Sequence, residues 1–496
     1  MSHHQFIPLI IIVPLIFSYI TPLIGWWNKR LCYPWIIIAL SSSFLSSLIT
    51  LHWVIIHGTI HYHFGGWLPP WGIEYVVDHL NALMLVIVSS IGFLVAIYSK
   101  RSVEQEIPEK MAYFYTVFLL EVMGLLGIVI TGDMFNLYVF LEIASLSGYA
   151  LIAIGEDGAA VASFRYIIMG TIGACFYLLG VGYLYISTGS LNMADLSKII
   201  PPLYHSKAVL TAFAFFMVGV SIKMALFPLH MWLPEAYTRA PSATSALIAP
   251  LMTKVAVYVM IRIMFTVFRP YFSIEVLPVT TILSWIAVIA IVCGAVMALA
   301  QKDLKKMLCY LIIAEVGYMV GGIGLANRLG LTGTILHILN DAVMTVSLFL
   351  IAGIVMLKVG ERDIYQLRYL FRRMPITMAA FIIVALSMIG IPPTCGFFSK
   401  WYLILGAVEA KNWVFVVAIL MSSLINAILF FRIIEVAYYV PAYSYARGSQ
   451  EKVPMDEAPL SMLIPTLVTS VGIILIGFFA GKIVADIIRF AIPPGL

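Results

Sequence analysis

Charge is what this 496-residue chain has least of. Asp, Glu, Lys and Arg make up 11% of it against 62% hydrophobic residues, and the mean hydropathy is +1.02. Soluble domains carry roughly a quarter charged residues, so a soluble globular protein is excluded. The cysteines, Cys32, Cys175, Cys293, Cys309 and Cys395, are scattered and form no Cys-x-x-Cys pair. An iron–sulfur cluster or a structural zinc therefore lacks a ligand set, and redox chemistry, if any, belongs to another chain. A glycine-rich phosphate loop is missing, which argues against ATP as the direct energy source. No basic patch is interleaved with aromatics, so nucleic acid is not an expected partner. The short alternating strands of a membrane barrel are missing too. No cofactor, metal or catalytic centre of its own is expected of this chain.

What is present is long hydrophobic runs. Stretches of about twenty apolar residues recur from end to end, each long enough for a hydrocarbon core of roughly 30 Å. In lipid every backbone polar group must pair internally, so with barrels removed only helices remain. The chain reads as an all-α polytopic membrane protein with about fourteen transmembrane helices. They lie near 5–26, 34–56, 78–98, 111–131, 133–154, 161–187, 208–233, 243–268, 277–300, 307–326, 331–357, 375–400, 413–440 and 460–488. The first reads as a retained helix rather than a signal peptide, because no small-residue cleavage site and polar domain follow it. Basic residues concentrate in alternate loops, as at Lys29 and Arg30, Lys302 to Lys306, and Arg368 to Arg373. By the positive-inside rule those loops face the cytoplasm of a cell membrane, and both termini lie outside. The histidines His52, His57, His61 and His63 have no carboxylate or cysteine beside them in sequence and read as a solvated loop rather than a metal site.

The informative residues are ionisable ones inside spans, since a charge at the bilayer centre costs about 2.5–3.5 kcal/mol even on the lenient insertion scale. They are Glu121, Glu142, Arg165, Lys223, His230, Lys254, Arg262, Glu315, His337, Asp341, Lys400, Arg432 and Glu435, and they are expected to line a shared wet interior. Glu142 alone could be a structural hydrogen-bonding group. A second carboxylate in the preceding span, Glu121, and a lysine two spans on favour function, because separating a buried carboxylate–lysine pair releases a proton. Lys223 opens "KMALFPLHMWLPEAY", where Pro228, His230 and Pro234 break the helix near mid-membrane. Transporters place ion sites at such breaks, where freed carbonyls face a hydrated cavity. Lys254 follows Pro250 about halfway along its span, too deep for easy snorkelling. The second half repeats the pattern with Glu315, His337, Asp341, and Lys400 after Pro392 and Pro393. The spacing of the two breaks suggests a five-helix unit used twice.

The stretches "FPLHMWLPEAYTRAPSATSALIAPLMTK" and "KDLKKMLCYLIIAEVGYM" carry a resemblance. Over nearly its whole length the chain resembles the antiporter-type membrane subunits shared by Mrp sodium/proton antiporters, respiratory complex I and membrane-bound hydrogenase or sulfur-reducing complexes. The D-type member of Mrp and its counterparts in membrane-bound hydrogenase-type or sulfur-reducing complexes stand foremost, with the M- and N-type members of complex I next. The resemblance implies fourteen helices, two inverted five-helix repeats, broken helices seven and twelve, and a central polar axis conducting protons. It divides the chain into three N-terminal helices (1–110), two antiporter-like repeats (111–268 and 277–440) and a C-terminal helix (460–496). Glu142 matches the fifth-helix glutamate, Lys223 the seventh-helix lysine paired with it, Lys254 the eighth-helix lysine and Lys400 the twelfth-helix lysine. His230 and His337 match positions often polar in the family. Where the family commonly has a His and a Lys in the eleventh span this sequence has Asp341 and Thr345, and Glu315 stands where a neutral or histidine side chain is usual. Either carboxylates replace the missing lysine there, or conduction is weakened and the chain serves as scaffold.

The function expected is proton translocation, with sodium as a second candidate cation, inside a complex with other membrane subunits. An independent solute transporter and a non-conducting assembly subunit are the alternatives.

Overall fold

The computed structural model describes residues 6–155, 158–438 and 454–496. Helix dominates. The N-terminal part comprises α1 (Phe6–Trp27), α2 (Cys32–His57), a hairpin of β1 (Ile60–His63) and β2 (Glu74–Val77), and α3 (His79–Glu106). Next come α4 (Met111–Ile130), α5 (Met134–Ala153), α6 (Ala159–Thr188), the short α7 (Met193–Ile199), α8 (Lys207–Lys223), α9 (Trp232–Arg239) and α10 (Ser242–Ile261). The remainder is α11 (Arg269–Tyr271), α12 (Val279–Leu299), α13 (Leu304–Gly324), α14 (Arg328–Val359), α15 (Leu370–Arg373), α16 (Pro375–Ile389), α17 (Cys395–Glu409), α18 (Trp413–Tyr438) and α19 (Leu460–Ile483).

Twelve helices among the described residues are long and apolar enough to cross a membrane. The other two expected spans are interrupted pairs, α8 with α9 and α16 with α17. Their second members run on to Arg239 and Glu409, past the expected ends at 233 and 400. Residues 5 and 440, expected ends of the first and thirteenth spans, lie outside the described residues.

The interruptions follow from the sequence. Pro228 has no N–H to give a helix, and residues 224–231 form turns in which Ala225 takes a φ of 57°. The indole Nε1 of Trp232 donates across the gap to the Ile222 carbonyl at 3.1 Å. α16 ends on Gly390, whose φ of 96° lacks a Cβ penalty, and Pro392 and Pro393 follow. Here the gap is bridged by Asn340 Nδ2 to the Cys395 carbonyl (2.7 Å) and the Gly396 N–H to Ser387 Oγ (3.1 Å). A helix can stop inside a membrane only where protein groups or water satisfy its loose ends.

At the centre lies α10, every residue of which is buried, and α13 is buried except at Lys306. Close packing comes from small residues, since lipid gives apolar side chains no drive to associate. A Cβ on Gly294 of α12 would lie 2.7 Å from the Ala314 amide nitrogen of α13, and one on Gly317 would lie 3.0 Å from the Ala287 carbonyl.

The structure revises several expectations. Arg165 and Glu435 are exposed on the helix surface, so they do not line an interior. Arg432 donates to the Leu299 (3.1 Å) and Gln301 (3.3 Å) carbonyls at the end of α12, as cations do at helix C-termini. Arg262, just past α10, contacts Asp78 at the start of α3 at 2.5 Å. Lys305, expected in a loop, is buried in the first turn of α13. The histidine run does have a carboxylate nearby: Glu74 faces His63 across the hairpin, meets His61 Nδ1 at 2.6 Å and His63 Nε2 at 3.3 Å, and accepts from Asn192 at 2.8 Å.

Gly294→Val should drive a branched side chain into the α13 backbone and cost about 1–3 kcal/mol. Thermal unfolding in detergent should show a lower Tm. Gly481→Ala in α19, with nothing within 4 Å of the added Cβ, should leave Tm unchanged.

Candidate functional site

Lys223 closes α8 at the first break, where its ammonium turns toward α5. Ser145 Oγ accepts from Nζ at 2.7 Å, and a Glu142 carboxylate oxygen lies 3.9 Å away. Glu142 and Ser145 are one helical turn apart and so share a face of α5. Lys223 is buried, while the Glu142 side chain keeps 27% of its exposure. Glu121, on α4, is buried without contact to a cation among the described residues.

Lys254, midway along α10, meets Asp341 of α14. The Nζ to Oδ2 distance is 2.7 Å, and both side chains are 0% exposed. Thr345 Oγ1, one turn on, donates to the other Asp341 oxygen at 2.8 Å, and the Ala249 carbonyl accepts from Nζ at 3.4 Å. Beside Lys223, where α4, α5, α8 and α10 meet, is a small and mostly apolar cavity of about 20 Å³, bounded by Lys223, Ser145, Met252 and Val255. That is room for about one water.

The second half is held differently. Glu315 of α13 meets His337 Nε2 at 2.7 Å, and His337 Nδ1 meets Ser399 Oγ at 2.9 Å. The neighbouring Lys400 donates to the Met388 carbonyl at 2.7 Å and to Ser423 at 3.2 Å, and it lies 5.2 Å from the centre of the Tyr318 ring. Its ammonium is thus held by carbonyls at the open end of α16, a cation at a helix C-terminus. The Tyr318 ring also packs edge-on against His337 at 5.4 Å, joining the two groups.

The residues anticipated from sequence thus fall into three clusters: Glu142 with Lys223, Lys254 with Asp341, and Glu315 with His337 beside Lys400. His230 joins none of them; neither ring nitrogen has a partner among the described residues, and the ring stacks on Phe227 at 5.1 Å. Sequence reading missed Ser145, Ser399, Ser423 and Tyr318. Ser145 could have been found as the polar residue one turn from Glu142, and Ser399 as the neighbour of Lys400. Ser423 and Tyr318 carry no such signal, because they come from helices remote in sequence.

A helical membrane bundle with buried lysine–carboxylate contacts strung between two interrupted helices is an ion-translocating type of membrane subunit. Residues 131–426 match the family described as NADH:quinone oxidoreductase/Mrp antiporter, TM, and the chain belongs to it. It is 44% identical over 492 residues to NADH-quinone oxidoreductase subunit N of Desulforudis audaxviator, covering 98% of each chain. It is 31% identical over 425 residues to the D-type subunit of the Na(+)/H(+) antiporter of Alkalihalophilus pseudofirmus, covering 84% of this chain and 83% of that one. Identity to the oxidoreductase relative thus exceeds that to the antiporter relative, the reverse of the order expected from the motifs. A chain in the structure of the membrane-bound sulfane sulfur reductase, an archaeal respiratory membrane complex, superposes with a TM-score of 0.89 at 30% identity, covering 98% of this chain and 96% of that one.

Removing one partner of a buried pair strands the other charge, at a cost of about 3–5 kcal/mol. Lys254→Ala and Asp341→Ala should therefore each lower Tm sharply in detergent, whereas Lys254→Met combined with Asp341→Leu should recover most of the loss. A double variant no more stable than the singles would mean that the two charges are not each other's main partner.

Proposed function

We propose that this chain moves protons through the membrane as one subunit of a multi-subunit complex, along the line Glu142, Lys223, Lys254–Asp341, Glu315–His337 and Lys400. The observation that carries this reading is the Lys254–Asp341 contact, a fully buried ion pair between the two clusters held at the helix breaks. A structural ion pair adds little net stability once desolvation is counted, so its presence in the core fits a working part better than a brace.

Coupling is electrostatic. Unit charges about 4 Å apart interact by about 4 kcal/mol at an effective dielectric of 20, enough to change the proton occupancy of a neighbour by orders of magnitude. When Lys223 leaves Glu142 for the small cavity beside α10, its charge repels that of Lys254 and weakens the Lys254–Asp341 pair. The displaced proton passes to the Glu315–His337 pair, and Lys400 acts as the terminal carrier. Asp341 and Glu315 then take the place of the family's eleventh-span cation, reversing its sign. Asp341 is the partner that Lys254 returns to after giving up its proton, and the histidine keeps a carboxylate to exchange with.

Counted with each interrupted pair as one crossing, the described residues make fourteen crossings, and the two five-crossing units are 111–268 and 277–440. Matched joints support the repeat: Asp133 caps α5 and bridges to Asn192, while Asp303 caps α13 and bridges to Asp363. Residues 1–110 and 460–496 flank the units. The basic loops face the cytoplasm and both termini lie outside, as the positive-inside rule requires. The names of the relatives supply the setting, since each is a subunit of an oxidoreductase or antiporter. Sodium remains a second transported ion to be measured alongside protons.

The test is proton and sodium flux in vesicles holding the complete complex. Lys223→Ala should reduce proton flux by at least about a hundredfold, the low end of what a positioned proton carrier contributes. Subunit composition should be unchanged. Unaltered flux with normal assembly would assign this chain a scaffolding role instead.

A further inference from the structure

Glu121 is left over by the line described above. It is 0% exposed, yet neither carboxylate oxygen has a hydrogen-bond partner among the described residues. Buried carboxylates are almost always satisfied, by protein or by ordered water. Two buried tyrosine hydroxyls share its condition. Tyr166 of α6 and Tyr237 of α9 have no hydrogen-bond partner for their oxygens among the described residues, and the Glu121 carboxylate lies against Gly148 of α5, 3.4 Å from where a Cβ would sit there, next to Tyr149. The ring of Trp232 holds them together, stacked on Tyr166 at 4.1 Å and edge-on to Tyr237 at 5.9 Å. Tyr149 packs edge-on against Tyr166 at 4.5 Å and lies on α5 one turn from Ser145, the residue that holds Lys223.

The backbone of Tyr237 connects this cluster to a cavity. Tyr237's carbonyl accepts from Ser245 Oγ at 2.8 Å, and Ser245 accepts in turn from Lys305 at 3.3 Å. Lys305, Arg239, Ser242 and Glu106 line an open cavity of about 290 Å³ between the ends of α3, α9 and α13. It lies on the face that carries the basic loops. Glu121, Tyr166 and Tyr237, three unpaired polar groups gathered in a dry core, would be costly, each by about 1–3 kcal/mol. Water bridging between them removes that cost and forms a proton-conducting chain.

Resting on the function proposed above, we propose that Glu121, Tyr166 and Tyr237 line a hydrated side chamber that delivers protons from the Lys305 cavity to Lys223. Glu121 is the loading group. Its O–H bond breaks as an N–H bond forms on Lys223 once that lysine has passed its own proton on, relayed by water of the proposed chamber, and the carboxylate regains a proton from the cavity along the tyrosine hydroxyls. Glu142 is then free to act as the partner that holds Lys223 charged.

The test compares Glu121→Gln, Tyr166→Phe and Tyr237→Phe with wild type and Lys223→Ala, in vesicles holding the complete complex at equal assembly. Glu121→Gln keeps the shape and removes the proton, and it should lower flux at least about tenfold. The phenylalanine variants should lower it several-fold. Where a hydroxyl is dry and merely tolerated, its removal is neutral or stabilising and leaves flux alone. A second readout is the infrared carboxyl band, which should respond to pH in wild type and lose that response in Glu121→Gln. Loss of flux in Lys223→Ala with full flux in Glu121→Gln and the tyrosine variants would overturn the chamber and leave the main line standing. A wild-type band that is unresponsive to pH would overturn it as well. Full flux in Lys223→Ala would remove both.

Discussion

Everything else in this protein is arranged around a lysine that cannot reach water. Taking an ammonium and a carboxylate out of solvent costs several kcal/mol for each ion, and only a short, well-oriented contact with further hydrogen bonds offsets it. Lys254 and Asp341 meet at 2.7 Å, with Thr345 holding the second carboxylate oxygen. That requirement fixes how α10 and α14 sit against each other. It also explains why α10 is buried along its whole length: a helix that supplies the central cation must be surrounded by protein on all sides. The small-residue seams between α12 and α13 serve the same end, because they bring backbones close enough to exclude lipid from the middle of the bundle.

The two breaks solve a related problem at either end of the line. A lysine ammonium has three donors, and a straight helix offers it no carbonyls, since its own are already in use. At the second break the carbonyl of Met388 is released from the helix and accepts from Lys400 and from Asn426. At the first break Lys223 is the last helical residue, and it uses a serine and a carboxylate from α5 instead. One lysine is held mainly by backbone and the other by side chains. The side-chain arrangement can exchange partners with little backbone movement.

The departures of this chain from its family pattern are explained by the same electrostatics. With Asp341 beside Lys254 the middle of the bundle holds a neutralised pair rather than a row of cations, and Glu315 gives His337 a partner of opposite sign. A row of like charges must be kept apart by repulsion, whereas paired charges can be packed closely and opened one at a time. The solution seen here therefore tolerates a drier core.

The sequence alone decided the membrane class, the positions of nearly every helix, both interruptions and most of the titratable residues that matter. Those features are local: a run of apolar side chains, a proline without an N–H, or a charge within a span acts on its own neighbourhood whatever the rest of the chain does. Which charges belong together was decided only by tertiary structure. Lys254 and Asp341 look unrelated along the chain, Lys305 reads as a loop residue, Arg262 and Arg432 read as interior charges but are helix-end partners, and Glu74 gives no sign of its histidines. The reason is physical: the energy of a buried charge depends on what lies within a few ångströms of it, and in a helical bundle most of those atoms come from helices distant in sequence.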